Sequence, residues 1–459
     1  MNQSDLAAHV LDLVAAQAGP GAETEVVVSR EDRALTRFAN SFIHQNMQDV
    51  VTTVRLRLHR DGRTATTATT IVAADGLEAL VERTVAASRL APVDARWPGL
   101  APASASAGGG TADAATVQAR PAERAARVRA FIDAAGGLEA AGYCRTSSLL
   151  VTFANSAGQV LTGAATEAAM DGIARTGSSD GVARFASNRL IDLDGEVLGA
   201  RAAAKARAGA DPIELPPGRY EVVLEPTAVL DVVQTLGIHG FNGKAFAERR
   251  SFAELGVQQF DPAINLVDDA CDAGAIGIPF DAEGTPKHRL DLIVDGVTVG
   301  VAHDRRTAGP AGVASTGHAL AGGSAFGPVP TNLLLLPGAP APAGEVPGPA
   351  ADAAVAALVS QVRRGLLVTD NWYTRVLDPR TLVVTGLTRN GVWMIDEGEI
   401  TKPVANFRFT QSYPEALGPG AVLAVGAHAI GLPGSYPEFS IRAPALRLAS
   451  WTYTGNPSG

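Results

Sequence analysis

The chain has 459 residues, more than one hydrophobic core usually serves, so its length favours two domains. Its 38 Lys and Arg residues against 47 Asp and Glu residues give a formal net charge of -9. That balance offers no long-range attraction to a phosphate backbone or an anionic lipid, so we expect neither nucleic acid nor a membrane as a partner.

The two cysteines, Cys144 and Cys271, lie far apart in sequence and form no CxxC pair. This argues against a disulfide framework and against a cysteine-rich zinc module.

The beginning of the chain lacks the cationic and continuous apolar regions of a signal peptide and is typical of an amphipathic helix with Ser4 as its N-cap. No apolar run reaches the roughly 20 residues that span a bilayer. These features predict a cytoplasmic protein.

The first half of the chain alternates between strand and helix patterns. Period-two alternation predicts a strand meander from Glu23 to Thr70, with a turn at Asp61-Gly62. An Ala/Gly/Ser-rich stretch at about 91–119 predicts a flexible exposed loop, because it cannot bury enough apolar surface to become ordered. The other predicted elements are helices at Ala74 to about Leu90, Pro121 to Ala135 and about Asp194 to Arg207, and strands at Ser147 to Phe153 and Gly158 to Ala168.

Paired prolines after residue 208 predict a domain junction, which gives an N-terminal domain at 1–210 and a C-terminal domain at 211–459. The predicted class is α+β, with a mixed α/β-sheet domain followed by a strand-rich sandwich or distorted barrel around a helix. The C-terminal predictions are a helical region at Thr227 to about Arg250 and strands at Leu290 to Val301, Asn332 to Leu336, Gly365 to Val368, Leu382 to Leu387 and Val392 to Ile395.

The motifs GxGxxG for phosphate binding, SxxK for nucleophilic catalysis and HExxH for zinc do not occur in the sequence. The two cysteines are better explained as unreactive thiols than as nucleophiles. His288, His303 and His318 recur at a regular spacing, and beside Asp304 they could ligate a metal. We favour hydrogen-bonding roles at strand ends and turns for these histidines.

The segment around Asp295-Gly296 predicts a hairpin, because Asp-Gly suits a two-residue turn. The pair Arg305-Arg306 follows that hairpin. It could orient a peptide carboxylate or face solvent, and we favour the solvent-facing position.

Four stretches of the sequence resemble the TldD/PmbA family. PFDAEGTPKHRLDLIVDGVTVGVAHDRRTA at 279–308 resembles the family signature, in which a P-F-D-x-E-G-T-P turn leads into an Asn/Asp-Gly hairpin. RALTRFANSFIHQNM at 33–47 and the block at 363–412 resemble two further family segments in the family's order. The fourth stretch, VLEPTAVLDVVQTLGIHGFNGKAF at 223–246, resembles the helix that carries HExxxH and the zinc site in the TldD-like branch.

The zinc motif is degenerate in this fourth stretch. His239 matches the final histidine, but Gln234 stands at the first ligand position and Thr235 at the general-base position. A neutral glutamine amide is a weak ligand, and a threonine hydroxyl cannot accept a proton near neutral pH. Both cysteines precede the C-terminal block in which the family's ligand cysteine lies. We therefore assign no catalytic, cofactor or metal residue to this chain and interpret His239 as a relic or core histidine.

The resemblance then implies the PmbA branch, also called TldE, whose members carry no metal. It implies a non-catalytic subunit that pairs with a zinc-bearing TldD-like subunit and degrades or processes unfolded or short peptides. The zinc is expected in the partner. Two alternatives stay open, namely a stand-alone family member acting on a small natural-product substrate and a non-catalytic binding homodimer.

Overall fold

A computed structural model gives the architecture and describes residues 2–19, 21–105, 108–339, 347–434 and 439–456. The class is α+β, as predicted. The helices are α1 (Gln3–Ala18), α2 (Ala74–Leu90), α3 (Ala114–Val117), α4 (Pro121–Ala134), α5 (Gly195–Ala208), α6 (Pro226–Thr235), α7 (Gly243–Ala247), α8 (Arg305–Ala311), α9 (Pro347–Val359) and α10 (Tyr413–Ala416). A π-helical turn, Leu236–Gly240, continues α6.

The strands fall into two groups along the chain. Those of the first half are β1 (Glu23–Ala39), β2 (Phe42–Arg60), β3 (Arg63–Thr69), β4 (Glu139–Asn155), β5 (Val160–Arg175) and β6 (Asp180–Ser187). Those of the second half are β7 (Gly218–Leu224), β8 (Leu266–Asp268), β9 (Leu290–Val294), β10 (Val297–Thr298), β11 (Asn332–Leu335), β12 (Arg364–Asp378), β13 (Val383–Asp396), β14 (Glu399–Pro403), β15 (Arg408–Ser412), β16 (Val422–Val425), β17 (Ile430–Gly431), β18 (Ser440–Ala443) and β19 (Leu446–Gly455).

The larger sheet has twelve strands in the order β10-β9-β8-β11-β18-β17-β6-β5-β4-β1-β2-β3. It joins both halves of the chain, since β17 pairs with β6 through Gly431 and Ala186. Between β2 and β3, Asp61 and Gly62 have φ of 51° and 69°, the positive values that a tight hairpin turn of this kind requires. The predicted strand meander and its turn are therefore confirmed.

The smaller sheet closes on itself. Its strands follow the order β12-β7-β19-β15-β13, and β12 also pairs with β13, which completes a five-stranded barrel. Val229, Val232 and Val233 of α6 share one apolar core with barrel side chains such as Phe409 and Trp451. This burial explains why α6 forms, because a short helix is marginal without tertiary packing. The predicted distorted barrel around a helix is confirmed.

The helices of the first half cover one face of the larger sheet in two pairs. One apolar core contains residues of α1, α2, β1 and β2, and another contains residues of α4, α5, β4, β5 and β6.

The predicted N-cap of α1 was wrong. Asn2, not Ser4, caps this helix, because its Oδ1 accepts from the N–H of Asp5 at 2.8 Å while Asp5 Oδ2 accepts from the N–H of Asn2.

The second half differs from the prediction in two elements, β13 and α9. The strands expected at Leu382 to Leu387 and Val392 to Ile395 form one continuous strand, β13, because the whole segment pairs with β12 across a bulge. The helix α9 was not predicted. Among the described residues, no helix combines the length and the hydropathy needed to cross a membrane.

Candidate functional site

The segment that resembles the zinc-motif helix begins in the barrel core and ends in a widened turn. Pro226 occupies the first turn of α6, where a missing N–H is tolerated. The N–H of Phe241 reaches back to the carbonyl of Leu236 at 3.2 Å, a bond spanning five residues. In a regular α-helix, residues five apart point roughly 140° away from each other, and a π turn reduces that angle. The widened turn thus suits the five-residue spacing of an HExxxH motif.

The three residues at the motif positions have different surroundings. Gln234 is exposed and lines a cleft beside α6. Thr235 and His239 are half-buried, and burial lowers the pKa of His239. Within the described parts of the chain, no three His, Cys, Asp or Glu side chains lie close enough together to hold a metal ion. The residues at these positions do not fit the zinc site of the TldD-like branch.

Both cysteines have raised thiol pKa values. Burial raises the pKa of Cys144 to about 12, and burial together with the nearby Asp269 raises the pKa of Cys271. A thiol of this kind holds little thiolate at neutral pH, and thiolate is the nucleophilic and metal-binding form. Neither side chain is suited to catalysis.

A cleft of about 720 Å³ opens beside α6, and we call it the main cleft. Its walls are α6, the stretch of β12 from Asp370 to Arg375, and loop residues that include Phe326 and Leu432. In β12, Tyr373 has a φ of 54° at a break in pairing with β13, an uncommon conformation for a bulky residue. Such strained positions concentrate at binding and catalytic sites.

The rim of the main cleft is aromatic and cationic. Trp372 and Tyr373 are 46% and 64% exposed. The guanidinium of Arg389 lies 4.5 Å from the Trp372 ring centre, and that of Arg375 lies 4.3 Å from the Tyr373 ring centre. Cation–π contacts of this kind hold aromatic rings in place at a surface. The rim therefore offers ordered apolar area to a ligand.

One wall of the main cleft is a satisfied ionic network. Arg184 donates to Asp171 at 3.1 Å and to Asp370 at 2.7 Å, and Asn390 also donates to Asp370 at 2.9 Å. Each charge in this wall has a partner, so the wall provides shape and rigidity.

Asp231 of α6 contrasts with that wall. It accepts hydrogen bonds from the hydroxyls of Tyr413 at 2.6 Å and Thr374 at 2.7 Å. Burial raises the pKa of Asp231 to about 6; the two hydroxyl bonds oppose the increase, and the Asp370 charge adds to it. Carboxyls with a perturbed pKa in a cleft are common at functional sites, which makes Asp231 a candidate functional residue. The sequence analysis missed Asp231, although a lone aspartate inside the apolar run VLDVV was an available signal.

The signature turn, residues 279–286, lies elsewhere and links the two halves of the chain. Asp281 accepts from the N–H groups of Glu283, Thr285 and Ala319, each at 2.9 Å. Gly284 has a φ of 73°, and an added Cβ would lie 2.2 Å from the Phe153 ring, so no larger residue fits. The turn is thus held by the carboxylate of Asp281.

Glu283 extends this turn to the strands of the first half. It accepts from Nη1 of Arg57 at 3.3 Å and from the N–H of Arg305 at 3.0 Å. Arg57 also pairs with the buried Glu25 of β1. The signature turn therefore has a structural role as a joint between β1, β2 and α8.

The predicted position of Arg305-Arg306 in solvent was wrong. Both side chains are half-buried and hold the segment that follows α2. Nη1 and Nη2 of Arg306 each donate to Asp94 at 2.8 Å, and Nη2 of Arg305 donates to the carbonyls of Pro98 and Leu100 at 3.3 and 2.9 Å. This part of the Ala-rich segment is tied to α8, because the two guanidiniums satisfy its polar groups.

The three regularly spaced histidines are not brought together as a metal site. His318 is buried and bonds to Asp268 at 2.9 Å and to Thr316 at 2.8 Å, while His303 bonds to Thr307 at 3.2 Å. The hydrogen-bonding interpretation is confirmed for these two, and His288 is exposed.

A family model described as the PmbA/TldA metallopeptidase C-terminal domain matches residues 217–455, more than half of the chain. The chain therefore belongs to the TldD/PmbA family, as its four stretches predict. A protein of Synechocystis sp. (strain ATCC 27184 / PCC 6803 / Kazusa) described as metalloprotease slr0863 is 29% identical over 192 residues. That match covers 40% of this chain and only 38% of the relative's length.

Solved structures share the fold over nearly the whole chain. TldE from Thermococcus kodakarensis has a TM-score of 0.82 at 16% identity, covering 98% of this chain and 99% of its own. A protein of Thermotoga maritima MSB8 described as a candidate modulator of a DNA gyrase has a TM-score of 0.80 at 18% identity, covering 99% of this chain and 100% of its own. Likeness at these identities concerns the fold alone.

Proposed function

We propose that this chain is the metal-free, TldE-like subunit of a two-subunit zinc metallopeptidase that degrades or processes short or unfolded peptides in the cytoplasm. The observation that carries the proposal is the helix at Gln234 and Thr235. It keeps the family's position and a π turn that suits the motif spacing, yet it has lost the first ligand and the general base. In this proposal, the zinc and the hydrolytic chemistry belong to a TldD-like partner.

The main cleft supports a role in holding peptide. Beyond Val368, the edge of β12 that pairs with β7 has no further strand pairing among the described residues. An extended peptide can add to such an edge through backbone hydrogen bonds, while the exposed rings of Trp372 and Tyr373 contact its side chains. The chain would then position substrate for the partner.

The edge of β2 supports pairing with a second subunit. Strand β3 pairs with β2 only from Val54 to Arg60, so the described structure leaves the β2 edge from Phe42 to Thr53 without a strand neighbour. Met47 and Val50 on this stretch are each 45% exposed. Unpaired edges and exposed apolar groups are features that interfaces cover. We propose this edge as the surface that meets the TldD-like subunit.

The proposal is tested by zinc content and by reconstitution. The purified chain should contain close to no zinc by elemental mass spectrometry and should not cleave peptides alone. Mixed with a zinc-bearing TldD-like protein from the same genome, it should form a complex that cleaves a denatured casein substrate. Replacing the glutamate of the partner's motif by glutamine should abolish this activity, whereas Thr235→Ala here should leave it intact.

Two controls separate the proposal from its alternatives. Met47→Lys with Val50→Lys should weaken the complex, whereas Val160→Lys, at an even more exposed apolar position on β5, should not. About one zinc per chain, or cleavage by the chain alone, would contradict the metal-free assignment and favour a stand-alone enzyme. Stable self-association with no effect on any TldD-like protein would favour the binding homodimer.

A further inference from the structure

The floor of the main cleft contains a carboxylate without a cationic partner. Asp231 accepts from two neutral hydroxyls, those of Tyr413 and Thr374, and the charge that acts on its pKa is that of another carboxylate, Asp370. A buried carboxylate is costly unless a positive charge or several donors offset it. The floor therefore has negative charge that the described residues leave uncompensated.

Asn371 adds a second acceptor at the same floor. This side chain is 6% exposed and lines the main cleft. Its Nδ2 donates to the carbonyl of Ala228, one turn before Asp231, at 3.5 Å, while its Oδ1 has no hydrogen-bond partner among the described residues. Buried polar atoms are nearly always paired, so an unpaired amide oxygen on a residue that lines a cleft points to a missing donor.

The cations around the main cleft are held elsewhere. Arg184 is engaged by Asp171 and Asp370. Arg375 stacks on the Tyr373 ring and donates to the carbonyl of Thr374 at 2.8 Å. These arrangements leave Asp231 without a cation among the described residues.

We propose that Asp231 and Asn371 together bind a primary ammonium group of the peptide held in the main cleft. The inference rests on the proposed function in that the ligand is a peptide. An ammonium group fits because it carries one positive charge and three N–H donors, which match a carboxylate and an amide oxygen. The exposed rings of Trp372 and Tyr373 then contact the apolar part of the same peptide.

Two sources supply this chemistry, the amino terminus of a peptide and a lysine side chain. Fluorescence anisotropy with the purified chain distinguishes them, using a short apolar peptide with a C-terminal fluorophore in three forms. The forms are a free amino terminus, an acetylated amino terminus, and an acetylated amino terminus with one internal lysine. We expect at least one form with an ammonium group to bind tenfold or more tightly than the acetylated peptide without lysine, and the tighter form identifies the source.

Asp231→Asn should remove that preference while keeping the shape of the side chain. The matched control is Asp396→Asn, which makes the same charge change at an exposed position of β13 outside the main cleft and should keep the preference. Asn371→Ala provides a second variant and should reduce the preference. Urea unfolding of each variant verifies that it is folded.

The outcomes separate this inference from the proposed function. Equal binding of all three peptides, or a preference that survives Asp231→Asn, would overturn the ammonium site and leave peptide holding intact. Binding of none of the peptides would overturn both, because every residue invoked here belongs to this chain.

Discussion

At the signature turn, Glu283 is met by the guanidinium of Arg57 and by the backbone of Arg305, whereas in the main cleft Asp231 is met by two hydroxyls. The first region pairs its charges with each other and so joins two parts of the fold. The second leaves a half-buried carboxyl without a cation and so can accept a positively charged ligand. The contrast teaches that the most recognisable sequence motif of this chain is structural, while its binding chemistry lies in residues outside that motif.

The largest change in stability should come from breaking the ion pairs of Arg57 at the signature turn. In Arg57→Met, the carboxylate of Glu25, which is 2% exposed, and that of Glu283 lose their shared cation. Removing one partner of a buried ion pair costs about 3–5 kcal/mol. We expect a loss of that size in the free energy of unfolding at pH 7.5, measured with urea.

Arg55→Met is the control for this change. Arg55 lies two residues earlier on the same strand, and no ion pair is found for it among the described residues. Its replacement should cost less than about 1 kcal/mol. Similar losses in the two variants would show that the ion pairs at the joint contribute little.

Removing a charge from the main cleft should have the opposite effect and stabilise the protein. Folding raises the pKa of Asp231 from 3.8 to about 6, so the folded protein holds the proton more tightly than the unfolded chain does. Stability should therefore fall as the pH rises from 4 to above 6, by up to about 3 kcal/mol from this group. Asp231→Asn should remove that decrease and stabilise the protein at pH 7.5. An unfolding midpoint lower than wild type at pH 7.5 would contradict an uncompensated carboxylate.

A smaller effect is expected where the Ala-rich segment meets α8. Arg306→Ala removes the two-fold contact with Asp94, whose pKa that guanidinium holds well below its usual range. We expect a loss of about 1–2 kcal/mol and faster protease cleavage at about 91–119. Arg289→Ala, which removes an exposed pair with Asp291, should cost less than about 0.5 kcal/mol and leave cleavage unchanged. Equal cleavage of both variants would show that Arg306 does not hold the segment.

The sequence predicts local elements well in this chain, because patterning and turn chemistry act over short distances. Val50 to Leu58, the Asp61-Gly62 turn and the helix beginning at Ala74 all follow from periodicity. The partners of Arg305 and Arg306 could not be predicted in this way. The carbonyls of Pro98 and Leu100 and the carboxylate of Asp94 lie about 200 residues earlier in the chain, and only the fold brings them together.

The candidate site also has one part that the sequence predicts and one part that it does not. Loss of the zinc motif at Gln234 and Thr235 is visible in the sequence, because it depends on residue identity at a fixed spacing. The placement of Asp231 and Asn371 in one cleft is not, since it depends on how α6 packs against β12. An unsatisfied acceptor is a property of three-dimensional surroundings and carries no sequence pattern.

The smallest effect should follow from rebuilding the lost motif. In Gln234→His with Thr235→Glu, the helix would regain its motif beside His239, yet neither cysteine is among the residues that line the main cleft. Gln234 is exposed and Thr235 half-buried, so we expect a change in stability within about 0.5 kcal/mol. Zinc content should stay close to none, because two nitrogen ligands alone make a weak site. A stoichiometric gain of zinc would show that a further ligand lies within reach of α6.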